Sequence, residues 1–300
     1  MKKVLLGILM VVVLLLIPFL TKDRSSLIKN FKDINPEDLG YTEVSYTNPR
    51  NNINLGGMLF LPKNKDSVPL VIFIHGSGYS NRLNPWYLTL TKHLLDNNFA
   101  VLLPDKRGSE SSEGDWKGAT LETLATDTEA AIQFSQTLPN KFTKTGVIGM
   151  SQGGWIAPIV ANNQNLDFVV NISGSLTNSN YQLEFEEANN IGYYTYNFLA
   201  KPIAKITVKS LKEKPQIKAL LDFDPLSYWK TTTTPNFIAY SEDDTNCPVE
   251  RSLGRVRDEN VTHLNIKTYP KGGHAISNEE RTDYRADFLE DLTTFLTQFQ

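Results

Sequence analysis

Five consecutive residues, Leu70-Val71-Ile72-Phe73-Ile74, are apolar, and the run stops at once in His75-Gly76-Ser77-Gly78. A strand with one wet face alternates apolar and polar side chains. A strand that is apolar at every position is covered on both faces, as in a parallel sheet between two helical layers. Shorter runs of the same kind recur at residues 100–103, 147–148, 168–172 and 237–240. Stretches of helical length separate them, at residues 86–97, at 121–136 and after Ser151. In the second, Leu121, Leu124, Ala125, Thr128 and Ile132 share one helical face; in the third, Trp155, Ile156, Ile159 and Val160 carry the apolar pattern. This rhythm predicts an α/β fold with a mostly parallel central sheet and helices on both faces. Residues 42–47 and 54–61 read as two leading strands joined by the turn cluster Asn48-Pro49-Arg50-Asn51-Asn52, and residues 282–299 as a closing amphipathic helix.

One segment breaks the alternation. Residues 176–231 hold Tyr181, Phe185, Tyr193, Tyr194, Tyr196 and Phe198, then a basic stretch at 201–214, and show no buried strand. They read as a helical cap inserted between two strands of a single domain spanning residues 26–300. The aromatics have two readings, packing against the main domain or walling a substrate cavity above the strand C-termini.

The N-terminus is a separate unit. Lys2 and Lys3 precede an uncharged apolar run at residues 4–20, about 25 Å long as a helix against a hydrocarbon core of about 30 Å. The residues that follow, Phe19-Leu20-Thr21-Lys22-Asp23-Arg24, lack the small-x-small pattern of a cleavage site. An uncleaved membrane anchor over residues 1–25 is the favoured expectation, ahead of a cleaved signal peptide and a buried core helix. Either of the first two leaves the lysine pair cytoplasmic and the folded domain outside the cytoplasm, exported or anchored.

Composition removes several function classes. With 40% hydrophobic and 21% charged residues, the chain is neither a disordered tail nor a polytopic membrane protein. Its net charge of −3 offers little to neutralise phosphates, so nucleic acid is not an expected partner. Cys247 is the only cysteine, which excludes an internal disulfide, and the four histidines show no short ligand spacing for a metal. No cofactor or metal is expected, and the sequence carries no signal for oligomeric state.

The chemistry rests on Gly149-Met150-Ser151-Gln152-Gly153, a G-x-S-x-G match. Alone it is weak. Its context, a short buried strand before and a helical pattern after, is the strand–elbow–helix that holds a serine hydroxyl above a sheet. His75-Gly76-Ser77-Gly78, ending an earlier strand, places backbone N–H groups at the same edge. Ser77, with Gly78 as the alternative, is expected to join Gln152 in holding an oxyanion, while His75 braces the loop. The elbow serine needs a base and a group that orients it, in the chain order Ser, acid, His. His274 in Tyr269-Pro270-Lys271-Gly272-Gly273-His274 is the base candidate, and His263 reads as a strand-start residue. The acid comes from Glu242-Asp243-Asp244, with Asp244 preferred.

Taken together, His75–Gly78, Asp105-Lys106-Arg107-Gly108, GMSQGGW, DPLSYW, SEDDTNCP and YPKGGHA resemble the α/β-hydrolase family over roughly residues 40–300. More narrowly, the sequence is similar to bacterial serine carboxylesterases with an inserted cap, of the dienelactone-hydrolase and serine-aminopeptidase-like groups. The resemblance implies Ser151 as nucleophile, Asp244 as acid, His274 as base, and Ser77 and Gln152 as oxyanion donors. It implies a small-molecule ester as substrate, with membrane contact through the N-terminal segment only, and a chiefly structural Asp105–Gly108 turn. Two departures, Cys247 in place of Val and Met150 in place of His, fall at residues the chemistry does not need. Peptide or amide hydrolysis by the same three residues is the alternative activity. A silent binding protein on this fold is the rival of another class, and a dehalogenase mechanism would need a carboxylate at position 151.

Overall fold

The structure is a computed structural model that describes residues 2–24, 30–63, 67–139 and 141–300. Its strands are β1 (Tyr41–Asn48), β2 (Ile53–Phe60), β3 (Ser67–Ile74), β4 (Ala100–Pro104), β5 (Lys141–Met150), β6 (Phe168–Ile172), β7 (Asn236–Ser241) and β8 (Ile266–Tyr269). They form one sheet in the order β1-β2-β4-β3-β5-β6-β7-β8. β1 and β2 pair antiparallel, β2 joins β4 antiparallel, and every other pairing is parallel. Pro69 has no N–H to give the ladder, and the register of β3 against β5 shifts between Val68 and Leu70 on either side of it.

The helices are α1 (Lys2–Thr21), α2 (Pro36–Leu39), α3 (Pro85–Asp96), α4 (Leu121–Ser135), α5 (Gly153–Asn163), α6 (Ser179–Gly192), α7 (Asn197–Leu211), α8 (Pro215–Lys218), α9 (Pro225–Trp229), α10 (Val249–Asp258) and α11 (Ala286–Leu296). The all-apolar β3 splits its side chains between two cores. Leu70, Ile72 and Ile74 join α4 and α5 on one face, while Val71 and Phe73 join α3 and α11 on the other. That is the doubly covered parallel sheet expected of such a run.

Local chemistry sets the helix ends. The Asn84 side chain accepts from Trp86 N at 3.0 Å with Pro85 at the first helical position, and Thr120 Oγ1 accepts from Thr123 N at 3.1 Å. The closing helix begins at Ala286 rather than 282. Ser277 and Tyr284 pair as a β-bridge, and the Asn278 side chain accepts from Thr282 N at 2.9 Å, so those residues form a turn instead.

Between β6 and β7 the chain runs through α6, α7, α8 and α9 with no strand. The last of these does not belong to a cover over the sheet: Leu226 and Trp229 of α9 are fully buried in the core beside α5. At the other end of the chain, the apolar N-terminal run forms α1. Leu5, Met10 and Leu14 through Ile17 are exposed along it, as are Phe19 and Leu20. Counting only described residues, no helix is long and apolar enough to cross a membrane, and most side chains of α1 before Leu14 fall outside that count. The expected boundary near residue 25 also lies outside the described residues.

Candidate active site

Because β3, β5, β7 and β8 run parallel, their C-terminal ends meet at one edge of the sheet, which is where ligands bind in such folds. The loops leaving them carry His75–Gly78, Ser151, Asp243-Asp244 and His274. Ser151 sits between β5 and α5 with φ 55, left-handed backbone that a non-glycine residue adopts only under constraint. Its N–H is held by Ile172 O at 2.8 Å. The flanking glycines are steric requirements: a Cβ on Gly149 would overlap the Gly153 carbonyl, and one on Gly153 the Ile74 carbonyl.

The three residues singled out for chemistry meet in a line of hydrogen bonds. His274 Nε2 is 2.8 Å from Ser151 Oγ, and His274 Nδ1 is 2.8 Å from Asp244 Oδ2. The Asp244 side chain is fully buried, and its other oxygen accepts from Asn246 N at 2.7 Å and Cys247 N at 2.9 Å. An acceptor-only carboxylate fixed in this way selects the His274 tautomer with hydrogen on Nδ1, leaving Nε2 as a base toward the serine. Asp243 points elsewhere. Its Oδ1 accepts from Gly273 N at 2.8 Å and from Ser241 Oγ at 2.8 Å, so this carboxylate holds the backbone of the histidine loop while its neighbour holds the ring.

Ser77, Ser151 and Gln152 line one cavity of about 290 Å³. The amides of Ser77 and Gln152 donate to no other group among the described residues. Gly78 does not line that cavity. Its other walls come from Trp155, Leu183, Glu186, Leu211, Ile217, Leu220 and neighbours. A second cavity of about 500 Å³ on the far side is lined by His274, Tyr193, Thr245, Asn246 and Lys271, and Asn190 borders both. Tyr193 therefore faces the site, with its hydroxyl 3.1 Å from Thr245 Oγ1. Tyr194 does not; it is exposed, with its ring centroid 6.0 Å from that of Phe19. The apolar wall of the first cavity is made of Trp155, Ile217 and four leucines (Leu183, Leu211, Leu220 and Leu221), not the tyrosine pair.

His75 is a brace. Its Nε2 donates to Pro104 O at 2.5 Å and its ring packs 4.6 Å from that of Tyr87, whose hydroxyl accepts from Gly76 N at 2.8 Å. Burial holds the His75 ring neutral, down to about 4. His263 likewise serves structure, with Nε2 3.0 Å from Trp229 O.

Three functional contributions escaped the sequence reading: the Asp243 brace, Lys106 and Glu186. In the Asp105–Gly108 turn, Asp105 pairs with Arg82 at 2.7 Å and Arg107 with Asp127 at 2.7 Å, which is structural as expected. Lys106 goes further. Its buried Nζ donates to Gly76 O at 2.5 Å, Gly78 O at 3.2 Å and Gln152 Oε1 at 3.2 Å, tying the glycine loop to the elbow. Burial pushes its ammonium down to about 8. A lysine between two charged neighbours reads as solvated; only its place two residues beyond the end of β4 hinted otherwise. Glu186 of α6 lines the cavity and accepts from Asn246 Nδ2 at 3.2 Å, and burial raises its carboxyl above the ordinary range.

The BD-FAE family matches residues 58–254. Among solved structures, a Pyrococcus furiosus esterase (Pf2001) superposes with TM-score 0.66 at 19% identity, covering 91% of this chain and 98% of that one. Est1E from Butyrivibrio proteoclasticus, solved with ferulic acid, gives TM-score 0.60 at 19% identity over 85% and 97% of the two chains. An Exiguobacterium antarcticum esterase gives 0.58 at 17% identity over 84% and 99%. At such identities these likenesses speak for the fold. No curated protein sequence matches the chain. The family match spans well over half the chain, and with the sheet, the elbow and the covered site edge it makes the chain a member of the BD-FAE family, an esterase-like branch of the α/β hydrolases.

Proposed function

We propose that the protein cleaves carboxylic esters through an acyl-enzyme formed on Ser151. The observation that carries this reading is the unbroken chain Asp244–His274–Ser151, with two 2.8 Å links, opening onto a largely apolar cavity. Ser151 Oγ attacks the ester carbonyl while His274 Nε2 takes its proton. The carbonyl oxygen, now negative, turns toward the unengaged amides of Ser77 and Gln152, donors that need no rearrangement at that moment. His274 returns the proton to the leaving alkoxide, which places the alcohol on the side of the larger cavity and the acyl chain in the leucine-lined one. Water, deprotonated by the same ring, then releases the acid. Asp244 stabilises the imidazolium in both halves.

The N-terminal segment supports a location. The apolar run behind Lys2 and Lys3 forms a helix whose described side chains are mostly exposed and apolar, and we read it as the element that anchors or exports the domain to the outer side of the membrane.

The test is labelling with a fluorophosphonate probe, followed by turnover of p-nitrophenyl esters beside aminoacyl amides. Ser151→Ala should abolish labelling and lower ester turnover by roughly 10⁴-fold or more in a folded protein. Near-normal turnover by that variant would end the reading, and amides outrunning esters would move it to peptide hydrolysis.

A further inference from the structure

The outer face of α7 carries a surface that neither the fold nor the ester chemistry requires. Ala200, Ala204 and Val208 are its buried stripe. On the opposite side, Phe198, Pro202 and Ile206 follow one another at four-residue spacing, and Phe198 is 74% and Ile206 75% exposed. Large apolar side chains left this open on a helix mark a contact surface. Lys201, Lys205 and Lys209 are exposed beside them, and Lys212, Lys214 and Lys218 follow; Glu213 is the one acid among residues 197–218. This is a strongly basic patch in a chain of net charge −3.

The patch is joined to the N-terminal helix. Tyr196 donates its hydroxyl to Leu14 O at 2.9 Å, and Lys22 Nζ donates to Gly192 O at 2.7 Å and to Asn197 Oδ1 at 2.6 Å. The start of α7 is thus fastened to the end of an apolar helix whose Phe19 and Leu20 are themselves exposed. Apolar anchors flanked by lysines, continuous with a second apolar helix, match the chemistry of an anionic lipid surface. The anchors enter the acyl boundary, and the long lysine stems carry their ammonium groups back to the phosphates.

We propose that α7 is a lipid-docking helix that lays the covered side of the domain on an anionic bilayer, with Phe198 and Ile206 in the interface and Lys201, Lys205 and Lys209 on the headgroups. This rests on the membrane placement of the N-terminal segment given above.

The experiment uses the full chain reconstituted into phosphatidylcholine vesicles with and without phosphatidylglycerol. Ile206→Cys is labelled with an environment-sensitive fluorophore; the native Cys247 is fully buried and protected. Lys144→Cys, at the opposite edge of the sheet, is the control. Flotation reports the N-terminal segment, and quenching of the label by shallow doxyl lipids reports α7. Quenching at 206 but not at 144, stronger with phosphatidylglycerol and cut at least about twofold by Lys201, Lys205 and Lys209→Gln, is the expected result. A floating chain with an unquenched label at 206 overturns α7 docking and leaves the anchor standing. A chain that does not float overturns both. A label shielded equally in detergent, with a doubled particle mass, gives the face to a second copy and also overturns the proposal.

Discussion

Lys106 Nζ lies 2.5 Å from the carbonyl oxygen of Gly76, and the same ammonium reaches Gly78 O and Gln152 Oε1 at 3.2 Å. One buried cation therefore ties together the two segments that carry the amides of Ser77 and Gln152, the proposed oxyanion donors. It touches neither nucleophile nor base, so its influence passes through the position of the loop. Replacing it leaves two carbonyls without their donor and the amides less well aimed.

Lys106→Met should lower kcat by roughly 10- to 100-fold with a smaller change in KM, because the contacts concerned matter most when charge develops on the substrate oxygen. The ammonium is held down to about 8 by burial, so its proton is lost as pH rises through that value. Wild-type kcat should then decline above about pH 8, and the decline should vanish in Lys106→Met. A pH–rate profile of the two proteins on one ester checks this; parallel profiles would reduce Lys106 to a packing role.

The tandem carboxylates separate by partner. Asp244→Asn removes the group that sets the His274 tautomer and should cost about 10⁴-fold in kcat. Asp243→Asn weakens a backbone tether at Gly273, and the expected loss is less than about tenfold in kcat with about 1 kcal/mol of stability. Turnover and urea midpoints of the two variants at pH 8 decide it. A larger kcat loss from Asp243→Asn would transfer the orienting role by one residue.

His75 predicts an acid-sensitive fold. Its ordinary value is 6.5 and burial lowers it to about 4 in the folded protein, so the unfolded chain takes up the proton first. The stability it contributes is complete above about pH 6.5 and is lost as pH falls toward 4, at most about 3 kcal/mol in all. His75→Gln keeps a donor for Pro104 but cannot titrate. Its urea midpoint should fall less than that of wild type between pH 7 and 4.5.

Acyl preference should follow the aliphatic wall. Leu220→Trp intrudes into the cavity of about 290 Å³ and should depress kcat/KM for hexanoate esters at least about tenfold relative to acetate, on the scale of a few methylenes of lost burial. Tyr194→Ala should leave that ratio unchanged, since its ring meets Phe19 rather than the site. Chain-length series on both variants test the assignment.

Much of this was readable in one dimension because the relevant physics is local. The unbroken apolar run of β3 demands two covered faces, the Asn84 and Thr120 side chains set helix starts within a turn, and two glycines around Ser151 announce an elbow with no room for a Cβ. Chain order was enough to single out Ser151, Asp244 and His274, which the structure brings within hydrogen-bond reach of one another. What the tertiary structure alone decided depends on direction and burial across distant segments. Asp243 and Asp244 are chemically identical neighbours, and only the packing of the loop sends one to a ring and the other to a backbone N–H. Tyr193 and Tyr194 look equivalent as aromatics, yet one faces the site and the other the N-terminal helix. α10 turns Val249, Leu253 and Val256, spaced for one helical face, onto the core, and only the fold supplies the surface they meet. The same holds for Lys106: a lysine's character as solvated charge or buried tether is set by which carbonyls surround it, and those come from loops 28 or more residues away in the chain.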